Sequence, residues 1–422
     1  MRARTRRLVF VFMMRLAQLS LICLLPLTPA LLLGCRTAVS PLPTPSPAPQ
    51  ATPQPTPLPT PLPLTEPLRI RLGEAATLLR ESNASALDAL IALEKDAKGS
   101  AVLSEQLAGL YEELDFTDRI FALARQAVRL DATYSPGYVR LGRLEQFLGY
   151  YTVAEKHLKE AVRLAPASSD AQLALALLLK HQEKLSEADK ALLAARAADP
   201  QEWRLCLIHN QILVSQGKYD DALKVLDDAQ KLAPDKGILV LQRAITLDEQ
   251  AIALEKKGEL PRVQALRSAA LPLAEKAMEK LQEVGSSWFH LGKIRQDSGD
   301  TAGAQQAYEK AYALSPSYLT TRYQLGQLLL KTGERERAQK LLAENTTEKN
   351  KAETYQQLAL GVAETPNDLE KRKKFARYCV GRLLIHRAIF EWEQVLERRP
   401  AEAEATREVA ALKARRIKDM TQ

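Results

Sequence analysis

Residues 135–166 read SPGYVRLGRLEQFLGYYTVAEKHLKEAVRLAP, and most of the fold can be read outward from them. Apolar residues recur at helical spacing on both sides of Gly149, and Pro166 closes the second run. Two helices joined at a glycine form a hairpin whose apolar face is too small to be a core alone. The pattern then returns at a fixed interval: Ala161, Ala195 and Ala229 are 34 residues apart, as are Pro166, Pro200 and Pro234. Later, Ala311 stands to Pro316 as Ala161 stands to Pro166. Self-similarity of this period predicts an all-α stack of hairpins that share one continuous core.

Each recurring column has a physical reason. Two antiparallel helices approach closely only where side chains are small, which explains Gly142 and Gly292 in first helices. Ala154, Ala188, Ala222, Ala304 and Ala338 serve the same end in second helices, and Leu158, Leu192, Leu226, Tyr308, Leu342 and Trp392 fill the space between. Gly149, Gly217, Gly299 and Gly333 lie just past first helices, where a left-handed residue ends a helix. These columns give units at 135–168, 169–202, 203–236, 285–318 and 319–352, a weaker one at 101–134, and an enlarged one at 237–284. A degenerate final region spans 353–402, with Leu383 where other units place Gly, and 403–422 is expected to be a capping helix.

Tyr138, Leu141 and Gly142, followed by Ala154, Leu158, Ala161 and Pro166, resemble the signature of the tetratricopeptide repeat (TPR). The resemblance covers roughly three quarters of the chain. It implies a right-handed superhelical solenoid over 101–352 that binds other proteins or extended peptides, preceded by N-terminal helices over 67–100.

The formal charge of +8 is uneven. Arg2, Arg4, Arg6, Arg7 and Arg15 lie in the first 34 residues, which hold no acid, and the remainder has 54 basic against 51 acidic residues. Such a balance argues against a nucleic-acid partner. Basic Met1–Arg7 and the apolar run after it end at Leu32-Leu33-Gly34-Cys35, which resembles the lipobox of bacterial lipoproteins. That resemblance implies a signal peptide at 1–34 and acylation (palmitate among the chains) of Cys35, placing the chain outside the cytoplasm on a plasma or outer membrane. Alternating Pro between Pro41 and Pro63 predicts a polyproline stalk within 35–66, with a reach of roughly 70 Å. Cys206 and Cys379 fall in distant units of an array where neighbours touch only neighbours, so no disulfide is expected between them.

The concave face of such a superhelix is built from first helices. By phase, its outward residues are Arg140, Arg143, Gln146 and Phe147, then Lys180, His181 and Gln211. Further along come Phe289, His290, Lys293 and Gln296, followed by Tyr323, Gln324 and Gln327. Cations, amides and aromatics suit an extended peptide. Some family members clamp a peptide carboxylate with a Lys/Asn/Asn/Lys/Arg set; the matching asparagines are absent here, and that ligand is not expected.

No catalytic set is found. The five histidines lie one per unit, and HExxH, CxxC, GxSxG and glycine-rich phosphate loops are missing. No metal or cofactor is expected. The reading is a membrane-anchored scaffold or adaptor for envelope proteins. Its rivals are a regulatory subunit of a cell-wall enzyme or of pilus or outer-membrane assembly, and a ligand-binding receptor.

Overall fold

A computed structural model of the chain describes residues 64–81 and 85–421; the leader, Cys35 and all but the last residues of the stalk lie outside them. Among the described residues there are nineteen helices and no strand. The first hairpins are α1 (Glu66–Arg80) with α2 (Ala86–Ala97), and α3 (Ala101–Glu113) with α4 (Thr117–Leu130). The 34-residue register follows as α5 (Ser135–Phe147) with α6 (Tyr151–Leu164), α7 (Ser169–His181) with α8 (Leu185–Ala198), and α9 (Trp203–Ser215) with α10 (Tyr219–Leu232). The enlarged unit is α11 (Gly237–Glu255) with α12 (Leu260–Leu281), 19 and 22 residues against 13 and 14 in a regular unit. Next come α13 (Gly285–Asp297) with α14 (Thr301–Leu314), and α15 (Leu319–Thr332) with α16 (Arg335–Glu364). Last are α17 (Leu369–Gly381) with α18 (Ile385–Arg398), and α19 (Ala403–Thr421). Helix α16 runs unbroken for 30 residues, so residues 353–364 extend a second helix instead of opening a new unit.

The columns do what their chemistry requires. A Cβ on Gly142 would lie 2.4 Å from Leu158 Cγ, and one on Gly292 would lie 2.7 Å from Tyr308 Cδ1. The alanine column of second helices is fully buried at Ala154, Ala188, Ala222, Ala304 and Ala338. Each regular first helix ends on a residue of positive φ, with the next amide returning to a carbonyl five residues earlier, as in Lys218 N to Leu213 O at 2.9 Å and Glu334 N to Leu329 O at 2.9 Å. Where glycine is missing the turn survives: Asp115, Glu183 and Leu383 hold φ of 59°, 59° and 58°.

The hydrogen-bonding role of one further column, that of Tyr138, was not read from the sequence. Tyr138, Gln172, Trp288, Arg322 and Arg372 occupy one position near the start of first helices. Each donates to the carbonyl six residues earlier, at Ala132 (3.2 Å), Pro166 (3.0 Å), Gln282 (2.8 Å), Pro316 (2.6 Å) and Pro366 (3.5 Å). Orphan carbonyls follow every second helix, so any long donor at this position is useful there. Chemical identity varies while function stays, which hides the column from a search by residue type.

The array does not end with two free termini. Helix α18 packs against α4 as well as its own neighbours, and Phe390 belongs to the apolar cluster of the first two hairpins. Its ring meets Phe121 edge-on at 5.1 Å. Beside it, Glu391 accepts from Arg372 Nη1 (2.5 Å) and from Tyr150 OH (3.0 Å), and pairs with Arg387 Nη2 (2.8 Å). Arg387 also donates to Leu148 O at 3.3 Å. Arg416 of α19 pairs with buried Asp118 of α4 at 2.6 Å and lies 3.9 Å over the Phe116 ring. The expectation that neighbours touch only neighbours is therefore corrected: the solenoid returns to its own beginning and is joined there. The final helix is a bridge as much as a cap. Cys206 and Cys379 are both buried free thiols, and burial pushes the Cys379 thiol up to about 12.

Candidate protein-binding groove

Successive first helices touch one another (α3 with α5, α5 with α7, α9 with α11, α11 with α13), while successive second helices have no comparable contact. First helices are therefore on the inside of the curve, where a groove would be.

The Arg and Lys residues expected to face a ligand, together with Gln211, are engaged in holding those helices together. Arg140 of α5 pairs with Glu105 at 2.5 Å and Glu112 at 2.7 Å, both on α3. Arg143 pairs with Asp170 of α7. Lys180 of α7 donates to Gln211 of α9 at 2.7 Å. Lys293 of α13 reaches Asp248 (2.8 Å) and Glu249 (3.5 Å) on α11, and Asp297 on its own helix (3.1 Å). Each is a clip between adjacent units. Burial lifts the Asp248 carboxyl above its ordinary range, with Lys293 opposing the shift.

The aromatics divide. Phe289 is 4% exposed and packs edge-on to Tyr318 at 5.5 Å, so its placement in the groove is corrected. The phase of α13 turns it into the seam with Tyr308 and Tyr318 instead. His290 sits 5.3 Å from that ring, and burial, with Lys293 nearby, pushes its imidazole down to about 4. His181 stacks on Tyr151 at 4.6 Å, and burial lowers its pKa. Gln296 is half-buried and accepts from Tyr308 OH at 3.1 Å; Gln146, Gln324 and Gln327 are also half-buried. Phe147 and Tyr323 remain exposed, each at 47%. Along the first helices Phe147 and Tyr323 thus stand exposed among charged side chains already engaged within the array. Among the described residues no group of three His, Cys, Asp or Glu side chains is placed to hold a metal ion. No helix there is long and apolar enough to cross a membrane.

Sequence reasoning missed the closure residues, yet it held a signal for them. The residue before the large second-helix side chain is apolar in most units: Ala191, Val225, Ala307 and Leu341. It is polar twice, at His157 and Glu391, and both lie near the junction of the two ends.

Comparison with known proteins agrees with this architecture. Tetratricopeptide-repeat family models match residues 135–168 and 296–360. No curated protein matches the chain. Among solved structures, a monomeric IFIT1 mutant with Gppp-AAAA is 14% identical, with a TM-score of 0.52 over 79% of this chain and 82% of that one. The human IFIT1 dimer with PPP-AAAA is 16% identical, with a TM-score of 0.50 over 79% and 85%. A tetratricopeptide repeat protein from Parabacteroides merdae is 14% identical, with a TM-score of 0.49 over 63% and 100%. These likenesses concern the fold alone. With hairpins stacked in a 34-residue register, small residues at most close approaches and first helices on the inner face, the chain is a tetratricopeptide-repeat protein.

Proposed function

We propose that this repeat scaffold is held to a bacterial membrane outside the cytoplasm through an acylated Cys35, and there docks other proteins of the cell envelope. The sequence Leu32-Leu33-Gly34-Cys35, after a basic and apolar leader, carries the reading. Acyl chains would hold it firmly, since each buried CH₂ contributes about 0.8 kcal/mol. The proline-rich segment after Cys35 supplies a spacer between anchor and array. The nucleotide ligands of the IFIT1 structures are not carried over, because the charge outside the leader is nearly balanced.

On the array, Phe147 and Tyr323 are the anchors available to a partner, since exposed aromatics bring large contact area at low entropy cost. Cys35→Ala tests the anchor: the variant should leave the membrane fraction and take up no labelled fatty acid. Retention there without label would defeat the reading. Photo-crosslinking groups at positions 147 and 323 should capture envelope proteins; capture of none in intact cells would discredit the docking surface.

A further inference from the structure

Where the two ends of the array meet they line a half-open cleft of about 650 Å³, within the range that holds small organic ligands. Its walls come from both ends of the chain. Helix α4 gives one stripe, Phe121, Arg125, Val128 and Arg129, while α18 faces it with Gln394, Glu397 and Arg398. Leu141 and Glu145 of α5 and His157 of α6 complete the lining.

The polar groups divide into satisfied and unsatisfied. Arg125 is paired with Glu397 across the junction at 2.7 Å. Glu145 is buried and held by His157 Nδ1 at 2.6 Å. Arg398 reaches only Gln394, at its carbonyl (2.9 Å) and its side-chain oxygen (3.5 Å), which carries no charge. Arg129 makes no ion pair among the described residues and is exposed. Two guanidinium groups are therefore left without a carboxylate, at the rim of a space whose other walls include Phe121, Val128 and Leu141.

The columns show how unusual these walls are. At the position of Glu145 other units place Tyr111, Leu179, Leu213, Leu329 and Cys379, with Arg295 the other charged residue. At the position of His157 they place Leu123, Ala191, Val225, Ala307 and Leu341, with Glu391 the other polar residue. Most units place apolar residues at both positions; this unit alone gives up both in the same place. Packing alone does not account for that exchange.

We infer that this cavity binds a small organic oxyanion with an apolar body, and that its occupancy holds the two ends of the array together. Guanidinium groups match carboxylate and phosphate oxygens in geometry and charge, and the aromatic and aliphatic walls take the body. Binding and closure are linked because an open array has no such cavity; a ligand that requires both walls draws the ends together by its differential affinity. The site is independent of the membrane anchor and of any protein partner.

The test is calorimetric titration of the full chain with 4-phenylbutyrate, phenyl phosphate and the neutral 4-phenylbutanol. At least one anion should bind about tenfold or more tightly than the alcohol. The carboxylate and phosphate arms then distinguish the two oxyanion sources. Arg129→Ala with Arg398→Ala should abolish that preference and leave the midpoint of thermal unfolding within about 2 °C, since neither residue joins a closing ion pair. Asp118→Asn, which weakens the closure and leaves the cavity lining in place, should lower affinity for the anion several-fold. In hydrogen exchange, the bound anion should slow exchange in α18 and α19. Equal affinity for anions and alcohol, no binding of any probe, or full binding by the double arginine variant would overturn the site. Binding with no change in α18 and α19 exchange, or none in the Asp118→Asn affinity, would overturn the coupling to closure.

Discussion

Leu383 is an exposed leucine held at φ 58°, in the turn that Gly149, Gly217, Gly299 and Gly333 make elsewhere. A branched side chain there costs about 1–2 kcal/mol against the right-handed region, while glycine costs the unfolded chain roughly 0.5–1 kcal/mol in entropy. At 62% exposure little apolar burial would be lost. Leu383→Gly should therefore raise the stability by up to about 1 kcal/mol, read as a higher midpoint in urea unfolding. A lower midpoint would mean that Leu383 makes a contact worth more than its strain. Residues of this kind mark the limit of reading by type. The turn was legible at four glycines because glycine is the cheapest left-handed residue, and by register at Leu383, but obscure at Asp115 and Glu183, where the six-residue backbone bond enforces it instead.

Helices α5 and α18 show why elements were easier to read than their surfaces. Hydrophobic spacing set where each begins and ends, and Ala388 and Trp392 sit fully buried as their columns require. What the outward face touches depends on the next hairpin, so Arg140 and Arg143, expected to await a ligand, are inter-unit clips. Helix α18 carries a second consequence in its first turn. His386 lies 5.2 Å from Phe116, with Arg416 and Asp118 close by, and its Nδ1 is buried without a partner. Burial, and then Arg416, pushes this imidazole down to about 4, against partial opposition from Asp118. The unfolded chain takes up the proton near pH 6.5 and the folded chain only near 4. Stability is full above pH 6.5 and declines as pH falls towards 4, by up to about 2 kcal/mol at pH 5 for this one ring. His386→Leu should flatten that part of the pH profile in chemical unfolding; an unchanged slope would show that the ring is protonated in the folded state.

The whole molecule was the least legible scale. Whether a superhelix meets itself depends on small rotations accumulated over eight hairpins from α3 to α18, one of them enlarged, and no single column records that sum. The junction carries buried charge: Glu391 is fully buried between two arginines, with Tyr150 as the reaching hydroxyl from α6's N-terminal turn. Removing one partner from such a group leaves uncompensated charge, at about 3–5 kcal/mol. Glu391→Ala should lose that much in urea unfolding and expand the molecule in small-angle scattering. Arg143→Ala, which breaks an exposed pair, should cost less than about 1 kcal/mol and leave the dimensions alone. Equal losses from both would show that the junction contributes no more than an ordinary clip.

The join has a bearing on how the chain is made. Asp118 meets Arg416 only after 298 further residues have been added, which takes about 15–60 s at ribosomal rates of roughly 5–20 residues per second. During that interval the early hairpins can stack on their neighbours, but the carboxylate of Asp118 still lacks Arg416, and the hydroxyl of Tyr150 lacks Arg372 and Glu391. Local helix pairing is fast and distant pairing slow, so the birth of this molecule has two clocks, a zipper that keeps pace with synthesis and a clasp that must wait for its other half.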